Sequence, residues 1–240
     1  MSVAIIPARW ASTRFPGKPL AILAGKPLVQ HVWEKCLRAK KLSRVIVATD
    51  DMRIAEAAFD FGAEVTVTSS KHPTGSDRLA EVAARLNGVS RIINVQGDEP
   101  MIDPRLIDKL VVEMEENPKA EMVTAATPFA DADAAANANN VKVVVDRLGN
   151  ALYFSRSLIP FDRDGVGAPA PLHHLGIYGY RRKFLLNFVR WKPTPLEQAE
   201  KLEQLRALEM GARIRVVLTK HRSIGVDTPA DLVAAEKLFK

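Results

Sequence analysis

The amino-acid sequence predicts an α/β fold in which a mostly parallel sheet is sandwiched between helices. Two observations carry this reading. Short β-branched runs alternate with amphipathic stretches through the first half of the chain, and Pro27 and Pro104 stand where a first helical turn loses no backbone donor. Such alternation implies parallel strands joined by helical crossovers, with ligands bound at the carboxyl ends of the strands.

Taken in order, residues 3–8, 44–49, 64–68 and 91–95 read as buried strands, and 27–39, 52–61, 76–86 and 104–116 as helices. The second half is less regular. Strands are expected at 121–126, 141–145 and 175–180, with an Ala- and Asn-rich connection near 131–140 and a Gly-, Pro- and Asp-rich loop at 162–171. A helix over 195–210 stopped by Gly211, a strand at 213–218 and a last helix from Pro229 complete the chain. The sequence reads as a single domain, 1–240, with an inserted lobe at about 125–190.

Composition bounds the function. The 240 residues are 47% hydrophobic and 26% charged, as in an ordinary globular enzyme. There is no run of eighteen apolar residues, so no membrane insertion is expected. Met1-Ser2-Val3-Ala4-Ile5-Ile6-Pro7 has no basic leader or cleavage site, so it reads as a buried strand rather than a signal peptide. The one cysteine, Cys36, excludes an intramolecular disulfide and lies among Val29, Val32, Trp33 and Leu37 at helical spacing, which makes it a core thiol. A cytoplasmic location fits these features. The net charge of +6 and a pI near 9.5 call for an anionic partner. A basic nucleic-acid-binding domain is one reading. However, the cations are dispersed, Lys40-Lys41 and Arg181-Arg182-Lys183 suit solvated helix ends, and no zinc-finger or RNP-type motif is present. Small anionic substrates account for the charge equally well.

The first strand runs into Pro7-Ala8-Arg9-Trp10-Ala11-Ser12-Thr13-Arg14-Phe15-Pro16-Gly17-Lys18, which matches neither the Walker A pattern nor G-x-G-x-x-G. It is a strand-end loop with hydroxyls and three cations, fit to hold a triphosphate, or else a surface loop with scattered charge. Asp98 ends a buried strand and should project into the ligand crevice. Asp227 stands between Gly225 and Pro229 at a helix entrance, where N-capping competes with a role in the site. Two such acids beside a cationic loop suit a magnesium ion, which needs few carboxylates when phosphate oxygens and waters complete its shell. Ser76 is expected to cap the helix that it opens.

Six further blocks follow in order: Gly75-Ser76-Asp77-Arg78-Leu79-Ala80-Glu81-Val82, Asn94-Val95-Gln96-Gly97-Asp98-Glu99-Pro100, Ala151-Leu152-Tyr153-Phe154-Ser155-Arg156, His174-Leu175-Gly176-Ile177-Tyr178-Gly179-Tyr180, Leu202-Glu203-Gln204-Leu205-Arg206 and Gly225-Val226-Asp227-Thr228-Pro229. With Ile6-Pro7-Ala8-Arg9, Ser12, Arg14 and Lys18, they make the chain resemble the 3-deoxy-manno-octulosonate cytidylyltransferase (CMP-Kdo synthetase) family. Ser76 stands where the family often has threonine, and Trp10 where tyrosine is common; the loop at 162–171 is shorter than in some relatives.

That resemblance implies a Rossmann-like nucleotidyltransferase core with a smaller inserted lobe for dimerisation and sugar binding. It implies transfer of CMP from CTP to the anomeric 2-hydroxyl of an acidic keto-sugar, for lipopolysaccharide biosynthesis. An 8-amino analogue of the sugar or a sialic acid is the nearest alternative substrate. By the same resemblance, Pro7, Ala8, Arg9, Ser12, Lys18, Gly75, Ser76, Arg78 and Gln96 bind CTP. Arg14, Gln96, Arg156, His174, Tyr178, Glu203 and Gln204 bind the sugar. Lys18 and Arg14 act with Asp98 and Asp227, the two ligands of Mg2+. A homodimer is expected through the lobe, whose apolar runs 141–145 and 151–154 lie outside the core, and no nucleic-acid partner is expected.

Overall fold

A computed structural model describes residues 1–11, 15–165, 169–221 and 225–239. The N-terminal half follows the alternation read from the sequence. Strand β1 (Ser2–Ala8) leads through a 3-10 turn (Lys18–Leu20) and a small antiparallel pair, β2 (Ile22–Leu23) and β3 (Lys26–Pro27), into α1 (Leu28–Leu37). There follow β4 (Arg44–Thr49), α2 (Met52–Asp60), β5 (Glu64–Val67), α3 (Gly75–Arg85), β6 (Arg91–Asn94) and α4 (Pro104–Glu116). Pro27 is not the first helical residue of α1. Its ψ of 142° and its place in β3 make it the residue before the helix.

The second half runs β7 (Met122–Pro128), α5 (Ala132–Ala136), β8 (Lys142–Val145), β9 (Ala151–Ser155), β10 (Leu172–Arg181), α6 (Arg182–Phe188), α7 (Pro195–Glu200), α8 (Gln204–Glu209), β11 (Ile214–Leu218) and α9 (Pro229–Glu236). The sheet order is β11-β7-β10-β6-β1-β4-β5, with β8 and β9 joined to the start of β10. Along the main path only β10 runs against its neighbours, pairing antiparallel with β6 and β7. The carboxyl ends of β1, β4 and β6 therefore share one edge of the sheet.

Both faces of the sheet are covered, and β1 shows how. Val3 and Ile5 enter one apolar layer while Ala4 and Ile6 enter the other, all fully buried, so the two-residue period of the strand feeds both. Cys36 packs in the second layer, and burial pushes its thiol well above the usual range; Leu37, by contrast, is exposed. A third, small cluster of Leu23, Leu28, Val226 and Ala235 ties α9 to the turn before α1.

The single helix expected over 195–210 is two helices. Lys201 adopts φ 54°, ψ 46°, which ends α7 and turns Leu202 inward. Arg206 then forks onto Glu197 across the break, with Nε and Nη2 at 2.8 and 2.7 Å. Arg181-Arg182-Lys183, expected as a solvated helix end, opens α6 instead with its arginines bonded to the protein, Arg181 to the Ala120 and Asn117 carbonyls and Arg182 to the Ala83 carbonyl, ahead of an apolar face of Phe184, Leu185 and Phe188.

Gly179 is the most tightly packed of the described glycines. A Cβ there would lie 2.6 Å from Val123 Cγ1 and 2.8 Å from Met114 Sδ. Gly179→Ala should lower the unfolding free energy by about 1–3 kcal/mol through overpacking, read as a shifted denaturant midpoint with an unchanged slope; an unchanged midpoint would refute this packing account.

Candidate active site

Three segments far apart in sequence meet at the carboxyl edge of the sheet. Gly17, at φ 71°, turns the chain after β1 and delivers Lys18 to that edge. The Lys18 ammonium donates to Asp98 Oδ2 at 2.5 Å and to Asp227 Oδ1 at 3.0 Å. Asp98 arrives on the loop after β6. Gly97 is required there because a Cβ would sit 3.0 Å from the Pro7 carbonyl oxygen. Asp227 arrives ahead of α9, and the Val226 N–H donates to the Asp98 carbonyl at 2.9 Å, locking the two loops together. The two acids thus converge on the Lys18 ammonium.

The capping reading of Asp227 is corrected. Thr228 caps α9, its hydroxyl accepting from the Asp231 N–H in a capping box, which leaves the Asp227 carboxylate to reach Lys18. Ser76 is likewise not a cap. Thr74 caps α3 with Asp77, and Ser76, the second residue of the helix, donates instead to Glu203 Oε2 at 2.5 Å.

A cavity of about 470 Å3 opens around Lys18, lined among others by Pro7, Ala8, Arg9, Thr74, Gly75, Arg78, Gln96, Gly97, Asp98 and Asp227. Arg78 is buried, pairs with Asp50 at 3.2 Å and donates to Thr68. A fixed guanidinium, Lys18 and Arg9 around one hollow suit a polyphosphate.

A second chamber adjoins the first across Gly75 and Gln96 and is lined by Ser76, Asn94, Tyr178, Tyr180, Glu203 and Gln204. Its polarity is unbalanced: among the described residues, Asn94 Oδ1 and Gln204 Nε2 are buried without a hydrogen-bond partner. Orphaned polar atoms of this kind cost stability and mark places where a ligand completes the bonding. Burial raises the Glu203 carboxyl above its usual range, opposed by the Ser76 hydroxyl and the Arg206 guanidinium. Burial also raises Tyr178 and Tyr180, so both stay protonated donors at neutral pH.

Not every expected residue joins these chambers. Arg156 lines neither: its Nε donates to the Glu200 carbonyl at 2.7 Å and its Nη1 to the Ala138 carbonyl at 3.1 Å. His174 lines neither as well, being packed between Phe154 and Tyr178 with ring centroids at 4.9 and 5.4 Å. Ser12 and Arg14 lie outside the described residues. Asp50, Thr74, Asn94 and Tyr180 were missed. The Thr74-x-x-Asp77 capping box was a legible signal for one of them; the others follow only from the register of β4, β6 and β10.

A family profile described as cytidylyltransferase matches residues 3–214. A relative from Geobacter sulfurreducens, 3-deoxy-manno-octulosonate cytidylyltransferase, is 55% identical over 239 residues, covering 95% of each chain. One of the same name from Solibacter usitatus is 49% identical, covering 98% of this chain and 93% of its own. A solved structure of CMP:2-keto-3-deoxy-manno-octonic acid synthetase complexed with CTP superposes with a TM-score of 0.95 at 43% identity, covering 99% of this chain and 98% of that one. A 4-diphosphocytidyl-2C-methyl-D-erythritol synthase from Anaerococcus prevotii, at TM-score 0.65 and 15% identity, shares the fold.

The raised Glu203 pKa gives a sign that can be checked. The folded state holds the Glu203 proton more tightly than the unfolded state, so this group's contribution is fully present below the unfolded pKa and is lost as pH rises through the folded one. The stability of Glu203→Gln relative to the parent should therefore increase as pH rises from the usual carboxylate range through the raised value. Paired denaturant titrations across that window test it, and a flat or falling difference would contradict it.

Proposed function

This chain belongs to the cytidylyltransferase family, and on that premise we propose how its residues divide the work. It is a nucleotidyltransferase that transfers CMP from CTP to 3-deoxy-D-manno-octulosonate, giving CMP-Kdo and pyrophosphate for lipopolysaccharide biosynthesis. In that reaction the anomeric 2-hydroxyl oxygen of the sugar forms a bond to the α-phosphorus, and the bond from that phosphorus to the leaving pyrophosphate breaks. The hydroxyl proton is lost to solvent or a nearby base.

In our reading CTP occupies the larger chamber. Arg9, Arg14, Lys18 and Arg78 balance its charge, and the strand-end loop with Pro7, Ala8, Ser12, Gly75, Ser76 and Gln96 encloses it. The Lys18 ammonium serves the α-phosphoryl group, where fixed positive charge stabilises the crowded transition state. A divalent metal is typical of such enzymes, and we assign Mg2+ to Asp98 and Asp227. The fit rests on two carboxylates aimed at one cationic atom beside a polyphosphate hollow; a hard ion takes such ligands with phosphate oxygens and water. When bound, that ion supplies charge neutralisation at the reacting phosphoryl group.

The sugar fits the smaller chamber, and one observation carries this: the orphaned Asn94 Oδ1 and Gln204 Nε2 need a donor and an acceptor, and a polyhydroxyl ligand offers both. Gln96, Tyr178 and Glu203 read further hydroxyls and His174 contributes from behind Tyr178; Arg156, whose fork suits a carboxylate, takes the sugar carboxylate only by leaving the Glu200 and Ala138 carbonyls that it holds in this structure. The runs 141–145 and 151–154 do not lie outside the core, since Val143, Ala151 and Phe154 are buried in its main apolar layer; for the homodimer we instead assign the exposed Leu148, Leu152, Leu158 and Phe161 on the β8–β9 hairpin and its flanks. A cytoplasmic setting accords with the substrates; no described helix is long and apolar enough to cross a membrane.

Pyrophosphate release should require CTP, Mg2+ and 3-deoxy-D-manno-octulosonate together, in a panel that includes its 8-amino analogue and N-acetylneuraminate. Asp98→Asn and Asp227→Asn should each lower kcat by about two orders of magnitude. The double variant should fall far short of the product of the two, because either loss disables the shared ion. Equal turnover of N-acetylneuraminate, or fully multiplicative losses, would overturn the assignment.

A further inference from the structure

Strand β10 is irregular where it crosses the site. His174 and Leu175 pair with Ala126 and Ala125 of β7, and Tyr178 pairs with the next residue back, Thr124, so that Gly176 and Ile177 have no opposite number. Such a bulge bends the strand and leaves ladder carbonyls without partners. The fully buried Thr124 hydroxyl lies at this point, 2.8 Å from the Ile177 carbonyl, 3.2 Å from the Leu175 carbonyl and 2.9 Å from His174 Nε2.

The proton count at this junction has one solution. A hydroxyl has one proton, and a carbonyl can only accept. The Thr124 proton therefore goes to the bulge, chiefly to Ile177, and the lone pairs of the Thr124 oxygen face His174. Nε2 must then carry a proton, since otherwise two acceptors would meet in a buried site. Burial, with a smaller contribution from neighbouring His173, pushes the His174 pKa down to about 3, so the ring carries only that one proton near neutral pH.

We propose that Thr124 is a positioning residue: it fixes His174 in the Nε2–H tautomer, with Nδ1 left as an acceptor, and so sets the ring that backs Tyr178 at the sugar chamber. The same hydroxyl stitches the bulge that sets Tyr178 and His174 ring to ring. The proposal rests on the reading that His174 contributes to sugar binding, and the test separates the two.

Long-range proton–nitrogen correlation spectra of the uniformly 15N-labelled protein at pH 7, with His174 assigned by the spectrum of His174→Gln, report the tautomer directly. The expected result is a protonated Nε2 and an unprotonated Nδ1. Thr124→Val, which keeps the volume and removes the hydroxyl, should lose that signature and raise the sugar KM about tenfold, the cost of one unsatisfied buried group, with the CTP KM unchanged. Thr124→Ser should restore both. A protonated Nδ1 or a doubly protonated ring in the parent protein overturns the proposal, even if Thr124→Val does not fold. A sugar KM unmoved by Thr124→Val, where His174→Gln raises it, also overturns it. A sugar KM unmoved by His174→Gln overturns it through its premise, by removing His174 from the sugar site.

Discussion

The Lys18 ammonium between Asp98 and Asp227 is the contact on which the rest of the site depends. Without a cation there, two carboxylates on adjoining loops would repel each other. With it, the loop after β1, the loop after β6 and the entrance to α9 are drawn to one point. The surrounding fold resists any loosening. The Val226 N–H is tied to the Asp98 carbonyl, the Val226 side chain is buried in the small core with Leu23 and Leu28, and Gly97 lets the β6 loop lie against Pro7. The amino-terminal loop and the carboxyl-terminal helix are thus parts of one device.

The neighbouring chamber follows a different logic. The Lys18 centre sets one ammonium between two carboxylates, but the second chamber holds buried polar atoms with no partner among the described residues and a glutamate that burial makes harder to ionise. Proteins keep such unfavourable features where a ligand repays the cost. The break between α7 and α8 belongs to the same design. Lys201 in a left-handed conformation turns Glu203 and Gln204 toward Ser76, which an unbroken helix would not do, and Arg206 clamps the result onto Glu197.

Much of this was legible in the chain. The strand–helix alternation matched β1 and the elements from α1 to α4 within a residue or two, though not the short β2–β3 pair between them, because period-two and helical patterns persist when both faces of a sheet are buried. Lys18, Asp98 and Asp227 were all named as site residues, Asp98 because it follows a buried strand and Asp227 because it stands at a helix entrance. What escaped the sequence was local competition. Thr74 outcompeted Ser76 as a cap because its hydroxyl, and not that of Ser76, faces the free N–H groups at the start of α3. A lysine at φ 54° ended a helix expected to run to Gly211, since the burial of Leu202 outweighs the strain. The β10 bulge, with the junction of Thr124 and His174, has no local signature, because it arises from the pairing of two strands about fifty residues apart.

The most direct test of the central contact is a crystal structure of the protein with CTP and Mn2+, the metal identified by its anomalous signal. The expected result is one ion touching both Asp98 and Asp227 at about 2.1 Å, the distance of a small hard cation, with the Lys18 ammonium moved from between them onto phosphate oxygens. An ion held by the phosphates alone, with Lys18 still bridging the two carboxylates, would contradict the account and make the pair an anchor for the lysine.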